Sequence, residues 1–402
     1  MSIERSEASA ALDAAEDVTL LDEIVENSRV AKSDEERERA KDIISLLARE
    51  VLEGSVVVSD NLSRTLDARI AELDRLISGQ LNEVMHAPEF QKLESSWRGL
   101  KYLVDQTSTG TMLKIKVLNA SKQELNKDFR SALEFDQSSV FKKIYEEEFG
   151  TFGGAPFGAL LGDYNIGRQP EDMYFIEQMS HVAAAAHAPF ISAADPGFLG
   201  LETFTDLGKP RDLAKVFDTV EYAKWKSFRD SEDSRYVALT LPRFLGRLPY
   251  DPVEGLPTEG FNFVEDVDGT DHSKYLWCNT AYAFGARLTN AFADFGWCAA
   301  IRGVEGGGLV EGLPTHTFRT DDGEVALKCP TEVAITDRRE KELSDLGFIP
   351  LVHCKNTDYA AFFGAQSTQK PRQYNTDSAN ANAELSAQLQ YIFAVSRVAH
   401  YL

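Results

Sequence analysis

The sequence has few of the residues that build metal and cross-linking sites. Four of its 402 residues are cysteines and seven are histidines. The cysteines lie 20, 31 and 25 residues apart, with no CxxC pair: Cys278, Cys298, Cys329 and Cys354. In a chain of this length, that spacing argues against a disulfide framework and against a zinc cluster. We therefore expect free, mostly buried thiols in a reducing compartment, and no metal.

Positive charge is also in short supply. The chain has 42 lysines and arginines against 64 aspartates and glutamates, a formal net charge of −22. Binding to nucleic acid depends on clustered basic side chains that neutralise phosphates, so nucleic acid is not expected as a main partner. The acidic balance is compatible with a soluble protein or with docking on basic protein surfaces.

Long apolar runs are missing. The first 17 residues have neither a basic start nor an apolar core, so they do not resemble a signal peptide. The longest apolar candidate, residues 182–194, is interrupted by His187 and Pro189 and is too short to cross a bilayer. We expect a cytoplasmic protein without membrane insertion.

Motifs for catalysis and cofactor binding are absent as well. The glycine-dense segment 149–167 has no GxGxxG and no glycine followed by Lys-Ser or Lys-Thr, so close packing around a buried strand explains it better than phosphate binding. GxSxG and HExxH do not occur. Asp230, Glu232 and Asp233 are candidates for paired catalytic acids, but the flanking Arg229 and Arg235 favour a salt-bridged turn. We predict no catalytic residue and no cofactor, although a missing motif does not exclude an enzyme.

What the sequence does contain is typical of a large globular protein: 43% hydrophobic and 26% charged residues. Residues 1–60 carry 16 acidic and 7 basic side chains. Within them, residues 17–30 have the pattern of a short amphipathic helix, whose predicted apolar edge consists of Leu20, Leu21, Ile24 and Val25. The pattern alone favours a surface helix on its own domain; the alternative is a helical peptide that binds a groove on another protein.

Amphipathic helices continue the chain near 34–52, over 62–85 and after Pro88. The last two form a predicted helix pair. In the third, apolar residues recur every three or four positions, at Phe90, Leu93, Trp97, Leu100 and Val104. This stripe either anchors the helix pair in the core of the chain or contacts a partner. The pattern favours the core.

From residue 111 the period changes. The segment 111–119 alternates as a half-buried strand does, and strand and helix patterns then follow each other to residue 355, which is the signature of an α/β fold. Residues 370–384 are predicted to be a polar linker. Residues 385–402 form an amphipathic helix without a terminating signal, so we expect the natural chain to continue beyond it.

Several stretches together resemble one family, the large subunit of the bacterial type VI secretion contractile sheath. They occur in the family's order and cover nearly the whole chain: 20–31, 90–105, 152–164, 186–193, 231–252, 275–289, 330–351 and 360–371. The most specific are ESSWRGLK at 94–101 and SEDSRYVALTLPRFLGRLPYDP at 231–252. One position departs from the second pattern, because Asp230 replaces the expected glutamate.

The resemblance implies a structural role. The large and small sheath subunits form a heterodimer, and many heterodimers stack as a helical sheath around an inner tube above a baseplate. Contraction drives the tube into a neighbouring cell, and a Clp-type ATPase recycles the contracted sheath. In the family that ATPase docks on an N-terminal helix, which implies Leu20, Leu21, Ile24 and Val25 as its contacts here and reverses the surface-helix interpretation.

The resulting prediction is a mixed α/β fold: a helical N-terminal region followed by a mixed-sheet body of the contractile-sheath type. Its segments are an acidic docking region (1–60), a helix pair (61–110), the sheath body (111–370) and the start of a truncated C-terminal region (371–402). The family's further C-terminal part supplies tube contacts and a strand arm shared between subunits. The alternatives are an adaptor that binds a partner through residues 17–30, or an enzyme of unrecognised class.

Overall fold

The computed structural model of the chain describes residues 33–52, 62–209, 212–252, 255–269, 271–319, 325–354 and 357–401. Contacts divide the chain into two units, Met1–Gln80 and Leu81–Leu402. The predicted docking residues Leu20, Leu21, Ile24 and Val25 lie outside the described residues.

The helices form as the apolar spacing predicted over most of the chain. In chain order the α-helices are α1 Asp34–Leu52, α2 Leu62–Met85, α3 Pro88–Asp105, α4 Lys122–Ser131, α5 Ser139–Phe141, α6 Pro170–Ala185, α7 Leu213–Phe217, α8 Ala223–Arg229, α9 Thr280–Phe295, α10 Asp337–Asp345, α11 Asp377–Ser386 and α12 Leu389–Tyr401. A π-helical turn, Lys142–Phe149, continues α5.

The first unit contains α1 and most of α2. Ser33 begins α1 with a capping box: its hydroxyl accepts from the Glu36 backbone N–H (3.3 Å), and the Glu36 carboxylate accepts from the Ser33 N–H (3.1 Å). Both helices keep large apolar side chains exposed, among them Ile43 on α1 and Ile70 on α2. Their apolar faces are therefore available for contact.

The second unit is built on a mixed sheet. The strands in chain order are β1 Leu160–Ile166, β2 Phe190–Ala194, β3 Val237–Leu241, β4 Phe244–Leu245, β5 Trp277–Cys278, β6 Leu309–Val310, β7 Thr317–Arg319, β8 Val325–Leu327, β9 Phe348–His353 and β10 Ala360–Phe362. Six of them form one sheet in the order β1-β2-β3-β9-β10-β6. The first four are parallel, and β10 is antiparallel to both of its neighbours. Two small ribbons, β4–β5 and β7–β8, complete the strands.

Both faces of the large sheet are covered, which explains why its central strands are apolar throughout. One face packs on α6, α8 and an aromatic cluster that includes Phe198, Trp225 and Phe348. The other face packs on α9, where Phe284 meets Phe362 at a centroid distance of 5.1 Å. The helical N-terminal region and the mixed sheet confirm the predicted fold class.

Three predictions about local structure are wrong. Residues 111–119 form no strand and pair with none of the described strands. The predicted linker 370–384 is helical from Asp377, where the Thr376 hydroxyl accepts from the Ala379 backbone N–H (3.3 Å) and caps α11. The predicted helix over 385–402 is also divided, since α11 ends at Ser386 and α12 starts at Leu389.

Candidate protein–protein interface

Helix α3 carries the Trp97 stripe, and it faces outward. Trp97 is 66% exposed and Leu93 is 56% exposed, while Phe90 and Val104 are also exposed and Leu100 is half-buried. The prediction that this stripe is a core anchor is therefore wrong. The alternative, a contact with a partner, stays a prediction.

The opposite face of α3 is the one that packs, and it does so through small residues. A Cβ on Gly99 would lie 2.3 Å from a ring carbon of Tyr282 on α9, so only glycine allows the two helices to approach this closely. Leu103 is buried one turn further along. On the same face, the Ser95 hydroxyl donates to the Trp277 carbonyl at 2.8 Å. Because glycine and serine contribute nothing to an apolar pattern, spacing could not identify this face.

A buried ionic network fixes α3 to the loop after β4. Arg247, whose side chain is 5% exposed, donates through Nε to Glu94 on α3 (2.7 Å) and through a terminal nitrogen to Glu265 (2.6 Å). Arg98 donates to the same Glu94 carboxylate at 2.6 Å. Burial alone raises the pKa of the Glu94 carboxyl, but the hydrogen bonds and charges of Arg247 and Arg98 outweigh it and hold that pKa below its ordinary value. The network was not predicted, because 153 residues separate Arg247 from Glu94.

The exposed face of α3 forms one wall of a groove of about 1600 Å³. The segment 112–120 also lines the groove, together with Leu161 on β1 and Tyr282 on α9. At one end the groove reaches Phe393 and Arg397 on α12. Cavities for small ligands are typically about 300–1,000 Å³ and mostly closed, so this open, larger groove suits a polypeptide better.

The wall formed by residues 112–120 has a free backbone. From Lys114 to Asn119 the main chain makes no hydrogen bond to any other described residue. Leu113 and Ile115 are half-buried while Lys114 and Lys116 are exposed, but this alternation ends there, because Val117 and Leu118 are both exposed.

Both ends of this wall are fixed. At its start the Gly110 N–H donates to the Leu113 carbonyl (2.9 Å), and at its end the Tyr164 hydroxyl donates to the Ala120 carbonyl (2.7 Å). Beyond it, Ser121 and Glu124 form a capping box that begins α4. A segment whose backbone groups are unpaired offers hydrogen-bonding groups to which a strand from another chain can add.

The described residues contain no group of three or more His, Cys, Asp or Glu side chains placed to hold a metal ion. In the same ranges, no helix has the length and apolarity required to span a bilayer. Of the predicted acidic candidates at 230–233, Asp233 is hydrogen-bonded to a ring nitrogen of His181 (2.8 Å) and Glu232 forms an ion pair with Arg235 (3.9 Å). All four cysteines are free, but only Cys278 is fully buried, so the expectation of mostly buried thiols is wrong.

Comparison with known protein families decides what kind of chain this is. The VipB family model, described as the EvpB/VC_A0108 tail sheath N-terminal domain, matches residues 67–369, about three quarters of the chain. The chain belongs to the VipB sheath family. VipB-type chains form a family of structural sheath proteins and are not a known enzyme family, and a sheath is assembled from many subunits.

A curated relative agrees with this assignment. The type VI secretion system sheath protein TssC1 of Pseudomonas aeruginosa is 52% identical to this VipB-type chain over 373 residues. The alignment covers 92% of this chain and 75% of the relative.

Proposed function

We propose that this chain is the large subunit of a type VI secretion contractile sheath. Its family membership and the 52% identity to a type VI sheath protein support the proposal. In this role the chain acts in the cytoplasm and catalyses no reaction of its own. Sheath subunits store free energy in an extended lattice and release it when they rotate into a contracted lattice with larger contacts.

The groove between α3 and residues 112–120 is the proposed site of subunit contact. Its outward-facing Trp97, Leu93 and Met112 are large apolar side chains. Trp297 is exposed as well (47%), whereas Trp225 is 2% and Trp277 is 7% exposed. Exposed apolar clusters of this kind mark protein interfaces. The Trp97 face packs on the small sheath subunit, and residues 114–119 pair with an extended strand from a neighbouring sheath chain.

The unpaired backbone of residues 114–119 is the observation that carries the proposed strand contact. Six consecutive residues, 114–119, have no backbone partner among the described residues, although the segments on both sides are fixed by hydrogen bonds. A strand laid along this edge satisfies those groups and covers the groove in one step.

The N-terminal segment has a separate proposed role. Leu20, Leu21, Ile24 and Val25 bind a Clp-type recycling ATPase, and the inner tube and baseplate contact the assembled sheath. The support is the amphipathic pattern of residues 17–30 together with the family resemblance. Leu20→Asp combined with Ile24→Asp should abolish capture of the ATPase in a pull-down, whereas Asn27→Ala should not. Equal capture by both variants would contradict this assignment.

Co-expression with the small sheath subunit tests the groove. Leu93→Asp places a charge in the interface and should weaken co-purification by about 2 kcal/mol or more, which is roughly 30-fold. Leu133→Asp is the matched control, because Leu133 is 91% exposed and lies outside the groove. Striated tubules in electron micrographs of the wild-type mixture support the sheath role. A chain that co-purifies equally well with either substitution would exclude the groove as the contact.

A further inference from the structure

Helix α2 carries an exposed apolar stripe that is separate from the groove, which is lined by residues from Pro88 onward. The stripe repeats every seven residues, with alternating steps of four and three, at Leu66, Ile70, Leu73, Ile77 and Val84. Each of these five side chains is 40–56% exposed. A seven-residue apolar repeat stays on one face only when two helices wind around each other, so the stripe has the pattern of a coiled-coil seam.

The residue types along the seam indicate how many helices it joins and in which direction. In the seven-residue repeat lettered a to g, isoleucine or valine occupies every a position of the stripe, at 70, 77 and 84. Leucine occupies the d positions 66 and 73, and Gln80 the third. β-branched residues at a together with leucine at d favour a parallel coiled coil of two strands. The seam therefore calls for one further helix that runs in the same direction.

The charges beside the seam indicate which helix that is. Arg69 occupies position g, and Asp74 occupies position e, five residues later. In a parallel pair, the g residue of one helix lies beside the e residue five positions further along the other helix, and opposite charges there set partner choice. Two copies of α2 in register therefore place Arg69 of each beside Asp74 of the other. One helix supplies both members of the pair, so α2 is complementary to itself.

The last turn of α2 is fixed through the side opposite the seam. The side-chain nitrogen of Asn82 donates to the Val264 carbonyl (3.2 Å), and its side-chain oxygen accepts from the Asp266 backbone N–H (3.0 Å). Asn82 is at position f, which faces away from positions a and d. This attachment leaves the seam uncovered at Val84, which is exposed on the same turn.

We propose that α2 is a docking surface for a second copy of this chain, and that the two α2 helices pack as a parallel two-stranded coiled coil. Leu66, Ile70, Leu73 and Ile77 form its centre, and two Arg69–Asp74 ion pairs flank it. Such a contact has two-fold symmetry and closes on itself, so it joins two chains and cannot by itself extend a helical lattice. It is therefore a contact additional to the groove and to the sheath role proposed above.

Sedimentation equilibrium of the purified full chain measures this pairing. We expect a monomer–dimer equilibrium without larger species at chain concentrations up to about 100 µM. Ile70→Asp combined with Ile77→Asp places charges in the seam and should weaken the dimer about 30-fold or more. Ala68→Asp combined with Ala71→Asp is the matched control: it adds the same charges at two exposed positions off the seam and should leave the dimer unchanged. Far-UV circular dichroism checks that helix content is equal in the two variants.

Charge reversal tests the identity of the partner helix. Arg69→Glu alone, or Asp74→Arg alone, places like charges beside each other at both flanks and should weaken the dimer about fivefold. The double variant exchanges the two charges in both chains at once and should restore the wild-type affinity to within about twofold. Only a partner that carries both substitutions itself gives this recovery.

Three results would overturn the proposal. The first is a wild-type chain that stays monomeric at about 100 µM. The second is a dimer that Ile70→Asp with Ile77→Asp does not weaken, because the chains then associate elsewhere, for example through the groove. The third is a dimer that each charge reversal weakens and the double variant does not restore, because Arg69 and Asp74 then do not face each other across two copies of α2.

Discussion

Trp225 and Trp97 both lie on short amphipathic helices of the same chain, and their environments are opposite. Trp225 on α8 is 2% exposed, with the rings of Phe198 and Phe348 at centroid distances of 4.8 and 5.7 Å. Trp97 on α3 is 66% exposed at the edge of the groove. The first belongs to the core that keeps the subunit rigid, and the second to the surface proposed to contact other subunits.

The same contrast separates the two faces of α3. Its inner face is held by Gly99, Leu103 and the Glu94–Arg247 ion pair, while its outer face is apolar and open. A sheath subunit has to stay rigid while its contacts change during contraction. Tight packing on one side of a helix and an open apolar stripe on the other meet both requirements.

The largest expected effect separates the two tryptophans. Trp225→Ala should lower the free energy of unfolding by about 3–5 kcal/mol, because it leaves a cavity among packed aromatic rings. Trp97→Ala should change it by less than about 0.5 kcal/mol, as an exposed substitution does. Chemical denaturation of the isolated chain, followed by far-UV circular dichroism, measures both. Similar losses in the two variants would show that Trp97 is part of the core after all.

The ionic network beneath α3 should be nearly as important. Arg247→Ala leaves the buried Glu265 without its arginine and Glu94 with Arg98 alone, and it should cost about 3–5 kcal/mol of stability. Arg338→Ala is the control: its guanidinium pairs with Glu342 at 3.1 Å, but the Arg338 side chain is 91% exposed. Removing such a surface pair should cost about 0–1 kcal/mol. Thermal melts of the two variants test the difference, and equal melting temperatures would contradict a structural role for the network.

Replacing two helical glycines by alanine should change the stability by smaller amounts, and the two changes should have opposite signs. Gly99→Ala forces α3 away from Tyr282 and should destabilise the chain by about 1–3 kcal/mol. Gly79→Ala on α2 meets no atom within 4 Å and should stabilise its helix by about 0.5–1 kcal/mol. Urea midpoints of the two variants should move in opposite directions. A tolerated Gly99→Ala would mean that α3 does not pack through this residue.

The smallest expected effect is on the loss of folding stability at acid pH. The folded state lowers the pKa of Glu94 below its ordinary value of 4.5, so its ionised form stabilises the fold above that pH. That contribution disappears as the pH falls from about 4.5 through the lowered value. Glu94→Gln should be less stable at pH 7 and should lose less stability over this window.

Glu38→Gln is the control for that profile, because Glu38 on α1 is 75% exposed and pairs with Lys41 at 3.5 Å. Its pH profile should match the wild type. An unchanged acid slope in Glu94→Gln would show that Glu94 does not contribute to the acid sensitivity.

The sequence predicted elements whose signal is local. Apolar spacing located α1, α2 and α3, and the alternation of strands and helices predicted the α/β body. Prediction from the sequence failed where a contact between distant segments decides which face of an element is buried. Nothing in the spacing of Trp97 and its neighbours shows that Gly99, which has no side chain, marks the inner face of α3.

Other features could not be predicted from the sequence, because they too depend on contacts between distant segments. Residues 112–120 have the alternation of a strand, but the pattern does not say whether a partner strand exists in the chain. The groove is visible only when α3, β1 and α9 are brought together.

Amide hydrogen exchange over residues 114–119 tests the central claim most directly. The measurement compares the chain alone with the chain co-assembled with its small sheath subunit, using the amides of β3 as an internal reference that is protected in both. The account predicts fast exchange at 114–119 in the chain alone and strong protection in the assembly, because a strand then pairs with this edge. Fast exchange at 114–119 in both samples would contradict it.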